Sequence, residues 1–407
     1  MKKKILLPML LCAGLLLSGC SKGMVVATVN GTRIYESSIK DTITGYLQYY
    51  GVYDPTDETY QEFTSQVVDL SLEIAVQNEI IKQKAHEYGL DVLSEDEIAE
   101  IETSVDESIQ SIKDQYYESA KSADPDGTEE SWQQTAQENL EQYMEQAGIT
   151  RESEIENQKI QAQSLKLYNR VTEGVTVTEE EVRDEYDTRV AEMKETYEET
   201  PSSFEQDMMY GSTIYYRPAG FREIKHILIS FTDEDSETIS ELENAGDTEG
   251  AEQARQTALA NIQEEAQSVL DSLKKDGSNF DEVMEANTDD SSTEPYAVGN
   301  LGDDTSYVAE FTEAAFALKK PGDISGLVAT DYGYHILYYV GDIQEGAVPY
   351  EEVKEYTEEQ LLSSKKQQVY QDQLTTWESE MDVQIYADRV NLSNYKTEPT
   401  STYSYGY

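Results

Sequence analysis

The chain has 407 residues, 82 of them acidic and 30 basic, with a formal net charge of −52 and 38% hydrophobic side chains. That length is enough for two or three domains with real cores, while the hydrophobic share, low for a globular chain, implies much solvated helix or loop. The charge excludes nucleic-acid binding, which needs clustered Lys and Arg. It also excludes charge-driven docking on anionic lipid, and any steering it exerts favours basic partners.

Lys2, Lys3 and Lys4 precede an apolar run from Ile5 to Leu17, followed by Leu17-Ser18-Gly19-Cys20. A basic start, a short apolar stretch and small residues before a cut read as a secretory signal over residues 1–19. The run is short for a membrane span. The tetrapeptide resembles a bacterial lipobox, which makes Cys20 the expected lipidation site and new first residue. Cys12 leaves with the signal, so no disulfide framework is expected. This places the protein, lipid-anchored, on the extracytoplasmic face of a bacterial cell membrane, with more than one acyl chain needed for stable anchoring.

Residues 24–35, MVVATVNGTRIY, alternate and carry Asn30-Gly31, which predicts a strand–turn–strand. From about 36 to 215 apolar residues recur at helical steps, as in Val67 to Lys84 and Ile155 to Val171. Ser94 with Glu97 and Thr178 with Glu181 predict capping-box helix starts. Asp124-Pro125-Asp126-Gly127 marks a loop. Asp124, Asp126 and Gly127 also stand in register with a calcium loop, but Ser122 and Gln133 replace its first Asp and its bidentate Glu, so a plain turn is expected. The character of the chain changes at Arg217-Pro218-Ala219-Gly220. A strand is predicted over Phe221 to Phe231, and residues 231–250, with eight acids and no Lys or Arg, are expected as a solvated loop. A helix is predicted from about Ala251 to Lys275, short elements over 278–342, and a second long helix over 350–381. Lys396 to Tyr407, rich in Ser, Thr and Tyr, is expected as a disordered tail.

There are three His in the chain, and H-E-x-x-H, Cys clusters, a P-loop, G-x-G-x-x-G and G-x-S-x-G are all absent from the sequence. No metal and no cofactor is therefore expected. Two of the His lie in β-branched segments about 110 residues apart: Lys225-His226-Ile227-Leu228-Ile229 and Gly333-Tyr334-His335-Ile336-Leu337. Between them come Phe280-Asp281-Glu282-Val283-Met284, Thr288-Asp289-Asp290-Ser291, Gly299-Asn300-Leu301-Gly302, Phe311 to Leu318, and Pro321-Gly322-Asp323-Ile324-Ser325. In this order the segments over 222–342 resemble the parvulin family of peptidyl-prolyl isomerases. Upstream, Val26-Ala27-Thr28-Val29-Asn30-Gly31 and Asn78 to Ala85 resemble the N-terminal segment of SurA- and PrsA-type foldases. Together with the lipobox, the chain is similar to PrsA-type extracytoplasmic foldase lipoproteins.

The resemblance implies a mainly α-helical chaperone domain over 20–216 and an α+β parvulin domain over 217–343, a small antiparallel sheet flanked by helices. It further implies a C-terminal segment over 344–395 that packs back on the chaperone domain, and leaves 396–407 as the tail. It implies that His226, Asp290 and His335 form the catalytic set. Leu301, Tyr307, Phe311 and Phe316 would build or support a proline pocket, Tyr307 standing where relatives carry Met in a shortened stretch. Tyr332 stands where relatives have Ser or Phe. The implied reaction is cis/trans isomerisation of X–Pro bonds, with proline-containing peptides and unfolded secreted proteins as partners. The acidic run 231–250 disfavours phosphorylated clients. A non-catalytic chaperone whose parvulin module only binds chains is the alternative, and a solute-binding lipoprotein is disfavoured because no two-lobed α/β pattern is present. Clients and oligomeric state, a homodimer included, are not decided by the sequence.

Overall fold

The computed structural model of this protein describes residues 23–147 and 149–397. The predicted signal segment 1–19, Cys20 and the tail from residue 398 lie outside the described residues. The described residues cluster into two compact units, one of residues within 23–175 and 364–397, the other Thr176–Ser363.

In the first unit, β1 (Val25–Val29) and β2 (Thr32–Tyr35) form the predicted hairpin. Asn30 and Gly31 both have positive φ, 48° and 81°, the twist that a two-residue hairpin loop requires. Five helices follow: α1 (Lys40–Tyr49), α2 (Gln61–Glu87), α3 (Glu95–Ala123), α4 (Glu129–Ala147) and α5 (Arg151–Val171). The capping box at Ser94 and Glu97 is formed, with Ser94 N–H donating to the Glu97 carboxylate at 2.8 Å. The core sets Val26, Val29, Ile43, Leu72, Ile80 and Leu167 against Leu374 and Trp377 from the C-terminal part of the chain.

The second unit begins with α6 (Glu179–Glu199), capped by Thr178 and Glu181, and α7 (Ser202–Met209). Then come β3 (Tyr216–Arg217), β4 (Phe221–Ser230), α8 (Asp233–Asn244), α9 (Thr248–Ser272) and α10 (Phe280–Asn287). They are followed by β5 (Tyr296–Gly299), α11 (Ala309–Ala317), β6 (Val328–Thr330), β7 (Gly333–Asp342) and β8 (Gly346–Ala347). The long helix α12 (Tyr350–Glu380) carries residues of both units, and β9 (Val383–Ile385) pairs with β1 in the first.

A four-stranded antiparallel sheet of order β5-β4-β7-β6 organises the second unit. Side chains alternate along β4 and β7, so the two faces bury different sets. Ile227, Ile229 and Ile336 meet Ala258, Ile262, Phe280 and Met284 of α9 and α10. Ile224, Leu337 and Tyr339 meet Phe311 and Ala315 of α11. Gly333, at φ 137°, opens β7 where an added Cβ would stand 2.1 Å from the Ile229 carbonyl oxygen. At the edge strand β5, α7 lies alongside, and Phe204 inserts between Tyr197 and Phe221 at ring distances of 5.3 and 4.9 Å. The edge is thereby covered rather than left to pair with another chain.

Two expectations are corrected, and of the predicted tail only the first two residues are described. The acidic run 231–250 is not a loop: α8 occupies 233–244, because Thr232 accepts from Asp235 N–H and Ile239 is buried against the α9 face. Its first-turn acids Asp233, Glu234 and Asp235 suit the positive end of a helix dipole. The packing boundary is not at Arg217, since α6 and α7 share a core with Phe221, Ala297 and Ile343, and residues 350–363 belong to this unit also. The stretch from Lys396 begins in place, with the Lys396 ammonium 2.7 Å from Asp54 and Thr397 N–H donating to the Tyr53 carbonyl.

Phe204→Ala removes a fully buried ring from the cluster that joins α6, α7 and β4. It is expected to destabilise residues 176–363 by about 3–5 kcal/mol, read by denaturant-dependent amide exchange of β4 and β7 peptides. A loss under about 1 kcal/mol would mean that α7 is not part of this core.

Candidate active site

The two strand histidines meet. In the β4–β7 ladder His226 is opposite Leu337 and His335 is opposite Leu228, so the imidazoles form a diagonal pair on the face covered by α11. Their rings stack with centroids 5.2 Å apart and planes 25° apart, and the two Nδ1 atoms stand 3.1 Å from each other. One proton lies between those nitrogens, because two would collide and none would leave two lone pairs facing. The outer nitrogens are also bonded: His226 Nε2 lies 2.7 Å from Asp290 Oδ2, and His335 Nε2 lies 2.9 Å from the Thr330 hydroxyl. The chain Asp290–His226–His335–Thr330 is therefore satisfied from end to end. Proton positions assigned from these partners allow two arrangements. With the shared proton on His335, the Thr330 hydroxyl donates to Nε2. With it on His226, that ring carries both its protons beside the Asp290 carboxylate, one proton more than in the first arrangement, and His335 Nε2–H donates to Thr330, whose hydroxyl turns to the Gly333 carbonyl at 3.5 Å.

Local structure holds Asp290 in place. Beyond Ile224 the flank of β4 left by β5 is taken by the segment after α10. The Thr288 hydroxyl accepts from Leu228 N–H, Asp289 N–H donates to the Leu228 carbonyl, and the Asp289 carboxylate accepts from Ser230 N–H. Asp290 follows directly, its carboxylate accepting from Ser292 N–H at 3.1 Å and from the Tyr296 hydroxyl at 3.0 Å besides His226. Burial pushes the Asp290 carboxyl up, but the hydrogen bonds from His226 and Ser292 N–H outweigh it and hold it at about 2. Burial, then repulsion from His226, pulls His335 down to about 3 against the pull of Asp290. Burial and the Asp290 charge push the Tyr296 phenol up to about 12.

Phe311 seals the pair. Its ring stands edge-on to His226 at 5.2 Å and to His335 at 5.4 Å, and each imidazole is only 5% exposed. Tyr307 lies 5.6 Å from Phe311 and 5.8 Å from Tyr296. Phe316 joins the same cluster with the Arg222 guanidinium over its ring at 4.5 Å. Tyr332 stands at the β6–β7 turn, 60% exposed, its N–H donating to the Thr330 hydroxyl. Leu301 is not brought to this cluster. It packs beside Gly299 and the group of Phe204 and Phe221. Of the residues singled out in the sequence, His226, Asp290, His335, Tyr307, Phe311 and Phe316 thus come together. Sequence reasoning missed Thr330, Tyr296 and Thr288. A hydroxyl in the strand before the second histidine was the available signal for Thr330; Tyr296 and Thr288 carry none beyond their nearness to Asp290.

Known proteins match this arrangement of segments. The rotamase family model, described as a PPIC-type PPIase domain, matches residues 226–341, which contain every member of the histidine chain. A foldase protein PrsA of Clostridium perfringens is 27% identical over 135 residues, covering 31% of this chain and 39% of that protein. One of Clostridium botulinum is 22% identical over 371 residues, covering 89% of this chain and 88% of that protein. Among solved structures, a SurA-like chaperone of Campylobacter jejuni is 12% identical and covers 89% of this chain and 99% of its own, at a TM-score of 0.33.

The two depressed values act in the same direction on stability. Below about 4 the unfolded chain protonates Asp290 while the folded chain holds it ionised to about 2, so that stabilisation is present above pH 4 and lost as pH falls toward 2. The unfolded chain protonates His335 below about 6.5, whereas the folded one resists to about 3, so stability falls as pH drops between those values. Imidazole nitrogen shifts are expected to report His335 neutral at pH 5, and His335→Gln to flatten the fall in unfolding temperature between pH 7 and 4. A titration of His335 near pH 6.5 would contradict the burial argument.

Proposed function

We propose, for a chain that belongs to the PrsA-type foldases and carries a parvulin-type peptidyl-prolyl isomerase domain, that it catalyses cis/trans rotation of X–Pro bonds in unfolded secreted polypeptides. The observation that carries this reading is the buried, fully bonded chain Asp290–His226–His335–Thr330 beneath Phe311. Rotation about X–Pro crosses a barrier of about 20 kcal/mol and breaks no bond. The enzyme need only bind the twisted amide better than either planar form. In the twisted form the carbonyl loses its conjugation with nitrogen, so an apolar surround that desolvates the carbonyl favours it. Phe311, Tyr307 and Phe316 supply that surround for the pyrrolidine ring. The histidine chain supplies fixed dipoles that need no reorganisation during the rotation, and neither imidazole acts as a nucleophile. Tyr332, exposed at the rim, contacts the flanking client residues.

A second reading, a parvulin module that binds chains without turnover, draws on the depth of the histidines beneath Phe311. Under either reading the helical unit holds unfolded clients weakly, through amphipathic side chains such as the exposed Tyr49, Tyr50 and Tyr60. Anchoring is through a lipid on Cys20; among the described residues no helix is long and apolar enough to cross a membrane. The place of action is the extracytoplasmic face of the bacterial membrane.

In a protease-free isomerase assay the full chain is expected to accelerate Ala-Pro isomerisation. His226→Ala and Phe311→Ala are each expected to lower kcat/KM about tenfold or more, equivalent to about 1.4 kcal/mol or more. Full activity in His226→Ala would remove the catalytic role, and an inactive wild-type chain that still binds the peptide would favour the second reading. The acidic run 231–250 disfavours anionic clients, so Lys-Pro peptides are expected to turn over faster than Glu-Pro peptides at low salt, with the gap closing as salt rises. Equal rates would end the charge argument.

A further inference from the structure

Glu205 is a fully buried carboxylate on α7, outside the matched region 226–341. Its hydrogen-bond donors all come from one short segment. Gly299 N–H donates at 2.8 Å, Ser306 N–H at 2.6 Å, and the Thr305 hydroxyl lies 3.2 and 3.1 Å from its two oxygens. A buried carboxylate persists only when so satisfied. The segment it holds needs a holder. Gly299 ends the edge strand β5, and the following residues make only a short 3-10 turn, Gly302–Asp304, before Tyr307.

We infer that Glu205 is a positioning residue for the proline pocket: from α7 it fixes the backbone of 299–306 and thereby the place of the Tyr307 ring against Phe311 and Tyr296. The relay is short. The Thr305 hydroxyl that meets the carboxylate also accepts from Tyr307 N–H at 3.3 Å. The Tyr307 hydroxyl is buried without a hydrogen-bond partner, so its own polar tip does not seat the ring. The backbone does. α7 in turn is fixed by its neighbouring residue Phe204, locked between Tyr197 and Phe221. Burial and then the nearby Glu205 charge push the Tyr307 phenol up. The isomerase pocket therefore extends beyond the family-matched residues to a helix that a domain boundary at Arg217 would leave out. The functional half of this inference rests on the isomerase reading above; the structural half does not.

The test uses the full chain with Glu205→Gln, which keeps the shape but turns an amide donor toward groups that are already donors. Amide exchange of residues 299–307 is expected to quicken while the β4 and β7 peptides keep their protection. For an Ala-Pro substrate KM is expected to rise about tenfold with kcat held within about threefold, since the pocket wall binds ground and transition states alike. Thr305→Val breaks the relay at its half-buried hydroxyl and is expected to shift KM the same way but less; it decides the matter if the Glu205 variant fails to fold. Unchanged exchange of 299–307, or a fall in kcat with KM unmoved, would overturn the inference. If the wild-type chain shows no turnover, the isomerase reading falls alone, and the exchange measurement still decides whether Glu205 holds the wall.

Discussion

A single proton between two Nδ1 atoms 3.1 Å apart sets the requirements that the surrounding residues meet. That contact exists because β4 and β7 pair in one register, which places His226 and His335 diagonally on the same face. A slip of one residue would turn one imidazole through the sheet toward α9 and α10. Given the pair, each outer nitrogen needs a partner of its own in a dry setting. Asp290 and Thr330 are those partners, and Phe311 keeps water from competing with them. A polar network buried to this depth is tolerable only when complete, and here each ring nitrogen is bonded.

The partners arrive by different structural routes. Thr330 comes from β6, hydrogen-bonded beside β7, so the sheet itself delivers it. Asp290 comes from an irregular segment that behaves like a strand for two residues, Thr288 and Asp289, using a hydroxyl and a carboxylate as well as backbone to occupy the flank of β4. This explains why the residues just before Asp290 are polar in a region otherwise shaped by apolar packing. On the other side of β5, α7 covers the sheet edge with Phe204 and Glu205, one apolar and one ionic anchor on consecutive residues. Both sides of the site are thus closed by segments that are not themselves strands.

Much of this was legible in order along the chain. Alternation around Asn30-Gly31 marked the first hairpin, Ser94 and Thr178 with their glutamates marked helix starts, and β-branched segments around His226 and His335 marked the two strands that matter most. These are local signals, governed by turn conformation, capping and side-chain period, and they act within a few residues. The helix at 233–244 was obscured because composition spoke louder than its two discreet signals, the Thr232 cap and the single buried Ile239.

Residue identity alone supplied the chemical types of the site: two imidazoles, a carboxylate and a set of aromatic rings, placed in sequence as in the parvulin family. Tertiary structure alone decided which of them touch. Leu301 packs with the group of Phe204 beside Gly299 and not with the aromatic cluster, while Glu205 entered from a position with no local mark. The reason is physical: a buried polar atom is satisfied by whatever neighbour the fold brings within about 3 Å, and that neighbour can stand far away along the chain with nothing in its own surroundings to announce the meeting.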